Sequence, residues 1–369
     1  MSNLYIMYGY KPEEMVTSIL QEIKIEKDIL KFGNNPLIGI KPNLVVAQPA
    51  HWGATTSPEL VRGVISYLKS KGLTNIVIME SSWIGDSTKK AFENCGYREI
   101  SEEFNVPLVD LKDDDSQQFT VDGITLNVCK QVLKVDYLIN MPVLKAHCQT
   151  RLTCALKNLK GCIPDEEKRR FHTLGLHKPI ACLNKVLTSN LIVVDGIIGD
   201  LTYEGGGTPV QMNRVIVGKD PVLIDTYAAE LIGYSVDDIE YVALAERLGI
   251  GKTHLTRDKV VELNSNKDAP AANEILASDD VDHLQQWINA DEACSACFGS
   301  LIHALKRLQE KGQLEKLQEK LNIGQAFRNI KKGGIGVGTC TEKFENNIPG
   351  CPPDAKKIVK FLEDYLGCQ

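Results

Sequence analysis

No apolar run in this 369-residue chain approaches the roughly 20 residues of a membrane-spanning helix, so no transmembrane segment is expected. The opening Met1-Ser2-Asn3-Leu4-Tyr5 has neither the basic segment nor the small-residue cleavage site of a signal peptide, which argues against secretion. An excess of positive charge is missing too. The net charge of -6 argues against non-specific nucleic-acid binding, which needs a basic footprint. Nucleotide-binding loops of the usual kinds are absent: no Gly-x-Gly-x-x-Gly follows the first strand, and Glu204-Gly205-Gly206-Gly207-Thr208-Pro209 lacks the Lys-Ser/Thr of a Walker loop. There is no internal repeat or low-complexity segment. Hydrophobic residues (43%) and charged residues (24%) stand in ordinary globular proportion, enough for a sizeable core.

Cysteine is plentiful. Eleven cysteines, an odd number without a secretion signal, suit a reducing cytoplasm better than a disulfide framework. Four of them close the chain as Cys294-Ser-Ala-Cys297, then Cys340, then Gly350-Cys351-Pro352-Pro353. Four thiolates can hold an iron-sulfur cluster or a zinc ion. A zinc ribbon would offer two Cys-x-x-Cys knuckles, whereas here the third and fourth cysteines follow Cys297 singly, 43 and 54 positions on. One [4Fe-4S] cluster is the leading reading, with zinc as the alternative metal and unliganded thiols as the plain one. The Gly-Cys-Pro-Pro tetrad resembles the last ligand motif of the four-iron clusters in hydrogenase small subunits and the related respiratory-complex subunit. Pro352-Pro353 ahead of an amphipathic run to Leu366 predicts that Cys351 lies at a helix N-terminus, where the dipole favours a thiolate. An oxygen-sensitive cluster would suit an anaerobic or low-oxygen cell.

Upstream, apolar strands alternate with helices, which predicts an α/β fold: a mostly parallel sheet with helices on both faces, plus a small C-terminal iron-sulfur domain. Strands are expected near Leu4–Tyr8, Leu37–Ile40, Asn75–Met79, Val106–Leu111, Asp136–Asn140, Leu191–Val194 and Val210–Val217, with a hairpin at Asp122-Gly123. Helices are expected over Pro12–Lys31, after Ser57, after Asp220, over Val281–Asn289 and from the Cys-x-x-Cys to about Leu321. Lys332 to Gly338 reads as a flexible turn or irregular strand. The expected division is residues 1–265 as the α/β domain, 266–280 as a linker and 281–369 as the cluster domain, whose folding the metal would assist.

Polar residues gather where these strands should end. Lys41 and Asn43 follow the second strand, Glu80 the third, Lys145 and His147 the strand through Asn140, and Asp195 the one after it. C-terminal strand ends of such a sheet share an edge where ligands bind. A lysine after a strand is ordinarily a solvated surface residue; its recurrence is what suggests a site. Lys157, Asn158 and Lys160 follow closely, and Lys41, Lys145, Lys157 and Lys160 could form a cationic pocket for a carboxylate or phosphate. His147 and His172 are the candidate proton donors, with Lys145 beside them. Cys148, Cys154 and Cys162 read as small core residues.

Lys41-Pro-Asn43, Asn140-Met-Pro-Val-Leu-Lys145-Ala-His147, Leu156-Lys157-Asn-Leu-Lys-Gly161, Phe171-His172, Asp195-Gly196 and Asp220-Pro-Val-Leu-Ile-Asp225 come in an order that resembles the family catalogued as domain of unknown function 362. The resemblance spans about residues 37 to 235 and implies frequent association with ferredoxin-type iron-sulfur segments. It supplies no established reaction. With one Cys-x-x-Cys and two dispersed cysteines, this chain departs from the commoner paired ferredoxin runs, so a single cluster is expected.

The leading functional expectation is a cytoplasmic iron-sulfur oxidoreductase or electron-transfer protein acting on a small anionic molecule. The eight Lys or Arg against three Glu between His303 and Lys332 could face an acidic redox partner such as ferredoxin, although a solvated helix with internal ion pairs explains them as well. The alternatives are a non-redox isomerase or lyase with a structural cluster, and a zinc-stabilised binding or assembly module.

Overall fold

The computed structural model describes residues 3–202, 204–265, 269–270, 275–277 and 282–367. The chain forms two compact units, one of Met1–Lys168 with His177–Ala277, the other of Arg169–Leu176 with Ser278–Gln369. The sequence assigned 169–176 to the α/β domain; in the structure this stretch clusters with the C-terminal unit. The 266–280 linker lies largely outside the described residues, as does Val281.

Among the described residues twelve strands belong to the first unit: β1 (Leu4–Tyr8), β2 (Ile38–Pro42), β3 (Ile76–Glu80), β4 (Leu108–Asp110), β5 (Ser116–Val121), β6 (Ile124–Cys129), β7 (Tyr137–Met141), β8 (Lys145–His147), β9 (Arg151–Thr153), β10 (Leu191–Asp200), β11 (Pro209–Gly218) and β12 (Val260–Glu262). Eight of them make one sheet in the order β12-β1-β11-β10-β7-β2-β3-β4. The run β10-β7-β2-β3-β4 is parallel throughout, and only β11 runs antiparallel to its neighbours. Every residue of β2, β3 and β7 is buried, as expected of strands covered on both faces.

One face is covered by the helices Pro12–Ile23 and Pro58–Ser70. Met15, Val16, Ile19 and Leu20 on the first, and Leu60, Val61, Val64, Ile65 and Leu68 on the second, recur at helical spacing and join Ile38, Ile40, Ile78 and Ile139 of the sheet in the core. Each such side chain stabilises by about 1.5–3 kcal/mol on burial. The helices touch at Gly63, where a Cβ would stand 2.6 Å from Val16 Cγ1 and 2.8 Å from the Glu13 carbonyl oxygen. The second helix begins as expected, with the Ser57 hydroxyl accepting from the Leu60 amide and Pro58 in first position. The first stops early. Lys24 turns left-handed (φ 52°), so the long helix expected to Lys31 becomes Pro12–Ile23 and a short turn of helix at Glu26–Ile29.

Among its described residues the second unit holds four short parallel strands in sequence order, β13 (Ile288–Ala290), β14 (Leu321–Ile323), β15 (Lys332–Val337) and β16 (Phe344–Ile348). The helices Ser295–Glu310 and Ala355–Tyr365 pack on each other, the first burying Leu301, Ile302, Leu305 and Leu308 and the second Ile358 and Leu362. Four expectations change here. The helix expected to run from the Cys-x-x-Cys to about Leu321 ends at Glu310, and Leu321 opens β14. Lys332–Val337, read as a turn because of its glycines, is a paired strand. The stretch expected as a helix to Asn289 is a 3-10 turn, Asp282–Trp287, leading into β13. Cys351 is not at a helix start, because Asp354 caps the last helix by accepting from the Lys356 and Lys357 amides. Among the four cysteines it is Cys294 that occupies an N-cap, that of Ser295–Glu310. No helix among the described residues is long and apolar enough to cross a membrane.

Candidate functional site

Lys41, at the end of β2, and Glu80, at the end of β3, are both buried and form an ion pair at 2.8 Å. The Lys41 ammonium also donates to the Pro42 carbonyl (2.7 Å), and Glu80 accepts from the Leu44 and Ser81 amides (2.8 and 2.7 Å). Both residues are thereby engaged with the protein itself. Gly161 lies against them so closely that a Cβ there would be 2.2 Å from Glu80 Oε1 and 2.6 Å from Lys41 Nζ. This explains the glycine that ends the Leu156-to-Gly161 motif.

A chain of buried amides continues the edge. Asn43 donates to Asn158 Oδ1 (2.9 Å), and Asn158 donates to Asn140 Oδ1 (2.7 Å). Asn140 in turn donates to the Ala155 carbonyl (2.9 Å). Asp225 accepts from the Ala155 and Leu156 amides (2.7 and 3.1 Å), fixing the short helix Ala155–Asn158 that carries Lys157 and Asn158. Burial pushes its carboxyl up to about 7.

Lys145 begins the β8–β9 hairpin and is buried. Its ammonium has three protons and meets three oxygens: the Ala54 carbonyl (2.5 Å), the Glu204 carbonyl (3.0 Å) and Asn43 Oδ1 (3.2 Å). Burial, with Lys157 nearby, lowers it to about 7. Lys157 differs. It is 9% exposed, burial lowers it to about 8, and its ammonium has one acceptor among the described residues, Thr153 Oγ1 at 3.5 Å. Lys160 lies in the following 3-10 turn and is half-buried.

His147, two residues along β8 from Lys145, shares its side of the strand. Its Nδ1 accepts from the Gln149 and Thr150 amides (3.0 and 3.2 Å), which leaves the proton on Nε2, 3.4 Å from Glu204 Oε1. Glu204 accepts from the Cys148 amide (3.2 Å) and thiol (3.4 Å). The donor atoms of His147, Cys148 and Glu204 lie within 4.8 Å of one another, a spacing that could suit a metal ion. The protonated Nε2 has no lone pair to give, so the trio fits an acid-base group better than a metal cage. Burial and Glu204 hold the Cys148 thiol well above its usual range. Cys148 was read as a core residue, and Glu204 only as the start of a glycine loop; an acid before three glycines is the faint signal that was there.

Two expected members do not join this group. Asp195 accepts from the Ser57 amide (2.7 Å) and the Ile197 amide (3.1 Å), and lines a different cavity with His51, Glu59 and Cys95. Its role is to hold the start of the Pro58–Ser70 helix, and burial raises it to about 6. His172 belongs to the second unit, where its Nε2 stands 3.5 Å from the Ser295 amide beside Cys294. The sequence also missed Lys168, whose ammonium is surrounded by Asp165, Ser81 and Ser82.

In the second unit, Cys294, Cys297, Cys340 and Cys351 line one cavity together with Arg169 and Arg328. The Arg328 Nε donates to Cys340 Sγ at 3.5 Å. Burial, then the other three cysteines, push the Cys297 thiol up. An all-sulfur donor set suits iron or zinc, and two guanidinium groups complement the net negative charge that four thiolates bring.

Among known proteins, the chain is similar to the thylakoid-associated protein sll1697 of Synechocystis sp., 26% identical over 227 residues that cover 58% of this chain and 68% of that protein. It is also similar to the lactate racemase apoprotein from Thermoanaerobacterium thermosaccharolyticum, with 13% identity and a TM-score of 0.41 over 62% of this chain. It spans 57% of that protein, less than two thirds of its length. The family described as Domain of unknown function (DUF362) matches residues 38–230, more than half of the chain and the span that carries Lys41, Asn140, Lys145, Lys157 and Asp195. The chain belongs to the DUF362 family.

Proposed function

We propose that this is a cytoplasmic iron-sulfur protein, an oxidoreductase or electron-transfer protein, whose second unit holds one [4Fe-4S] cluster and whose first unit binds a small anionic molecule. The observation that carries the reading is the meeting of Cys294, Cys297, Cys340 and Cys351 around one cavity with two arginines. A cluster bound there would supply single electrons. Arg328 donates to one ligand sulfur and the Ser295–Glu310 helix presents its N-terminus at Cys294. Both features stabilise negative charge on sulfur. In the first unit the buried amines of Lys145 and Lys157 supply positive charge, and His147 with Glu204 can hold and move a proton. An acidic redox protein such as ferredoxin would suit the basic stretch from His303 to Lys332.

A second reading, a non-redox isomerase or lyase with a structural cluster, draws support from the His147–Glu204 pair, which is acid-base machinery that needs no electrons. Anaerobic purification with iron, sulfide and zinc analysis and electron paramagnetic resonance decides between them. The expected result is about four irons per chain and a reversible one-electron signal, both lost in Cys351→Ser. A redox-inert cluster favours the second reading; one zinc without iron overturns both.

A further inference from the structure

Eight Lys or Arg lie between His303 and Lys332, and the structure divides them into two groups of different character. On the Ser295–Glu310 helix and just past its end the charges are answered nearby: Arg307 pairs with Glu310 (2.7 Å) and Lys311 with Glu363 (2.6 Å). That half is a solvated surface with its own ion pairs. The other half is not. From Gln325 to Lys343 there are four cations, Arg328, Lys331, Lys332 and Lys343, against one acid, Glu342, and all four cations are exposed. Lys343 donates to Asn329 Oδ1 (2.9 Å) and Lys332 to Asn322 Oδ1 (3.2 Å), neutral amides that orient the ammonium groups without cancelling their charge.

These cations border the cysteine cavity. Arg328 donates to Cys340 Sγ, and the Lys343–Asn329 hydrogen bond ties the loop of Arg328 to the turn Thr339–Thr341 that carries Cys340. That turn adjoins the fourth cysteine, because the Thr339 amide donates to the Gly350 carbonyl (2.9 Å). Cys351 itself is exposed, whereas the other three cysteines of the cavity are partly covered. Among the cations stands Ile330, 44% exposed. The loop that presents it is held firmly: Phe327 packs edge-on against Phe344 at 5.6 Å, and the Lys332 ammonium lies over both rings (5.5 and 6.0 Å). An apolar side chain ringed by cations on a fixed loop has the anatomy of a docking patch, and its rigidity lowers the entropy lost on binding.

We propose that Arg328, Ile330, Lys331, Lys332 and Lys343 form the docking face for a small acidic iron-sulfur electron carrier, seated against the Cys340 and Cys351 side of the cavity. The proposal rests on the reading that the four cysteines hold a cluster, and it goes further by assigning the face and by leaving the Ser295–Glu310 helix out of it. The occupant follows from chemistry. A nucleic-acid backbone needs a longer run of cations and has no use for an apolar centre, whereas carboxylates around an apolar patch on a protein match both parts of this face. The position beside the sulfurs selects a redox protein among acidic ones.

The test is calorimetric titration of the anaerobically purified full-length protein with an acidic [2Fe-2S] ferredoxin, at low and at physiological salt, with iron and zinc measured on the same sample. The expected result is saturable binding that weakens at least about tenfold as the salt is raised. Lys331→Glu combined with Lys343→Glu should weaken the low-salt binding at least about tenfold and flatten its salt dependence, whereas Ile330→Ser should weaken it with the salt dependence kept. Arg307→Gln combined with Lys311→Gln should leave it within about twofold, as rim charges already paired do. Iron-containing protein that does not bind the ferredoxin at low salt overturns the proposal and leaves the cluster reading standing, and this result needs no variant to fold. Equal weakening by the helix variant overturns the assignment of the face. Polyglutamate or a basic cytochrome c bound as tightly as the ferredoxin overturns the choice of occupant. The expected binding pattern in protein that carries zinc and no iron upholds the face and removes the cluster reading.

Discussion

Lys41 and Glu80 show how a single residue can decide whether a charge serves the fold or a ligand. Their pairing is possible because Gly161 offers no Cβ at a point 2.2 Å from the carboxylate. Gly161→Ala should force the pair apart and cost about 3–5 kcal/mol, the usual penalty for breaking a buried ion pair, read as a fall in the denaturation midpoint. Lys145 carries a pH signature. Unfolded, a lysine keeps its proton to about 10.4. Folded, Lys145 releases it near 7, so between those values the unfolded chain binds more protons and stability rises with pH. Lys157 acts in the same direction from about 8 upward. Urea unfolding at pH 7 and pH 9 should therefore show greater stability at pH 9. Lys145→Met should flatten that rise, and a variant with an unchanged slope would show that Lys145 is not the buried charge responsible.

At the scale of elements, the parallel sheet brings β2, β3 and β7 to a common edge, which is why Lys41, Glu80 and the Asn140 amide meet there. Their strand-end positions were legible, because short apolar runs followed by a charged residue are a local pattern. Which partner each one takes was not. Asp195 follows an apolar run like the others, yet it turns to the Ser57 amide, since the helix Pro58–Ser70 lies over its side of the sheet. The helix dipole expected at Cys351 is found at Cys294, because Asp354 provides the last helix with its own cap. Arg328 adds a hydrogen bond to Cys340. Hydrogen bonds to ligand sulfur stabilise the more negative, reduced state, so Arg328→Gln should shift the midpoint of the proposed cluster to more negative potential with iron content unchanged. Redox titration followed by electron paramagnetic resonance checks it; loss of iron instead would assign Arg328 to assembly.

At the scale of the molecule, the chain divides into a large unit with an extended apolar core and a smaller one of short strands. The smaller unit has less core to stabilise it, and four thiolate-metal bonds would offset that. Cys297→Ser should therefore expose residues 282–367 to limited proteolysis while the β1–β12 unit keeps its resistance. Equal sensitivity of both units would show that the cysteine site does not stabilise its own unit. The division itself was partly legible from the Asn- and Asp-rich stretch after residue 263, but the assignment of Arg169–Leu176 to the second unit was not. Helical periodicity says that a segment is helical, not which body it joins.

By itself the sequence determined the alternation of strands and helices, the covered parallel sheet, the polar strand ends and the grouping of the last four cysteines, because each is written in local spacing and residue type. Only the tertiary structure decided how the buried charges are shared out. Lys41 is neutralised by a glutamate 39 positions away, Lys145 is saturated by oxygens from two distant loops, and Lys157 is left with one long contact. The physical reason is that the free energy of a buried charge depends on every group within a few ångströms. Those groups arrive from separate strands and loops whose approach no local pattern encodes.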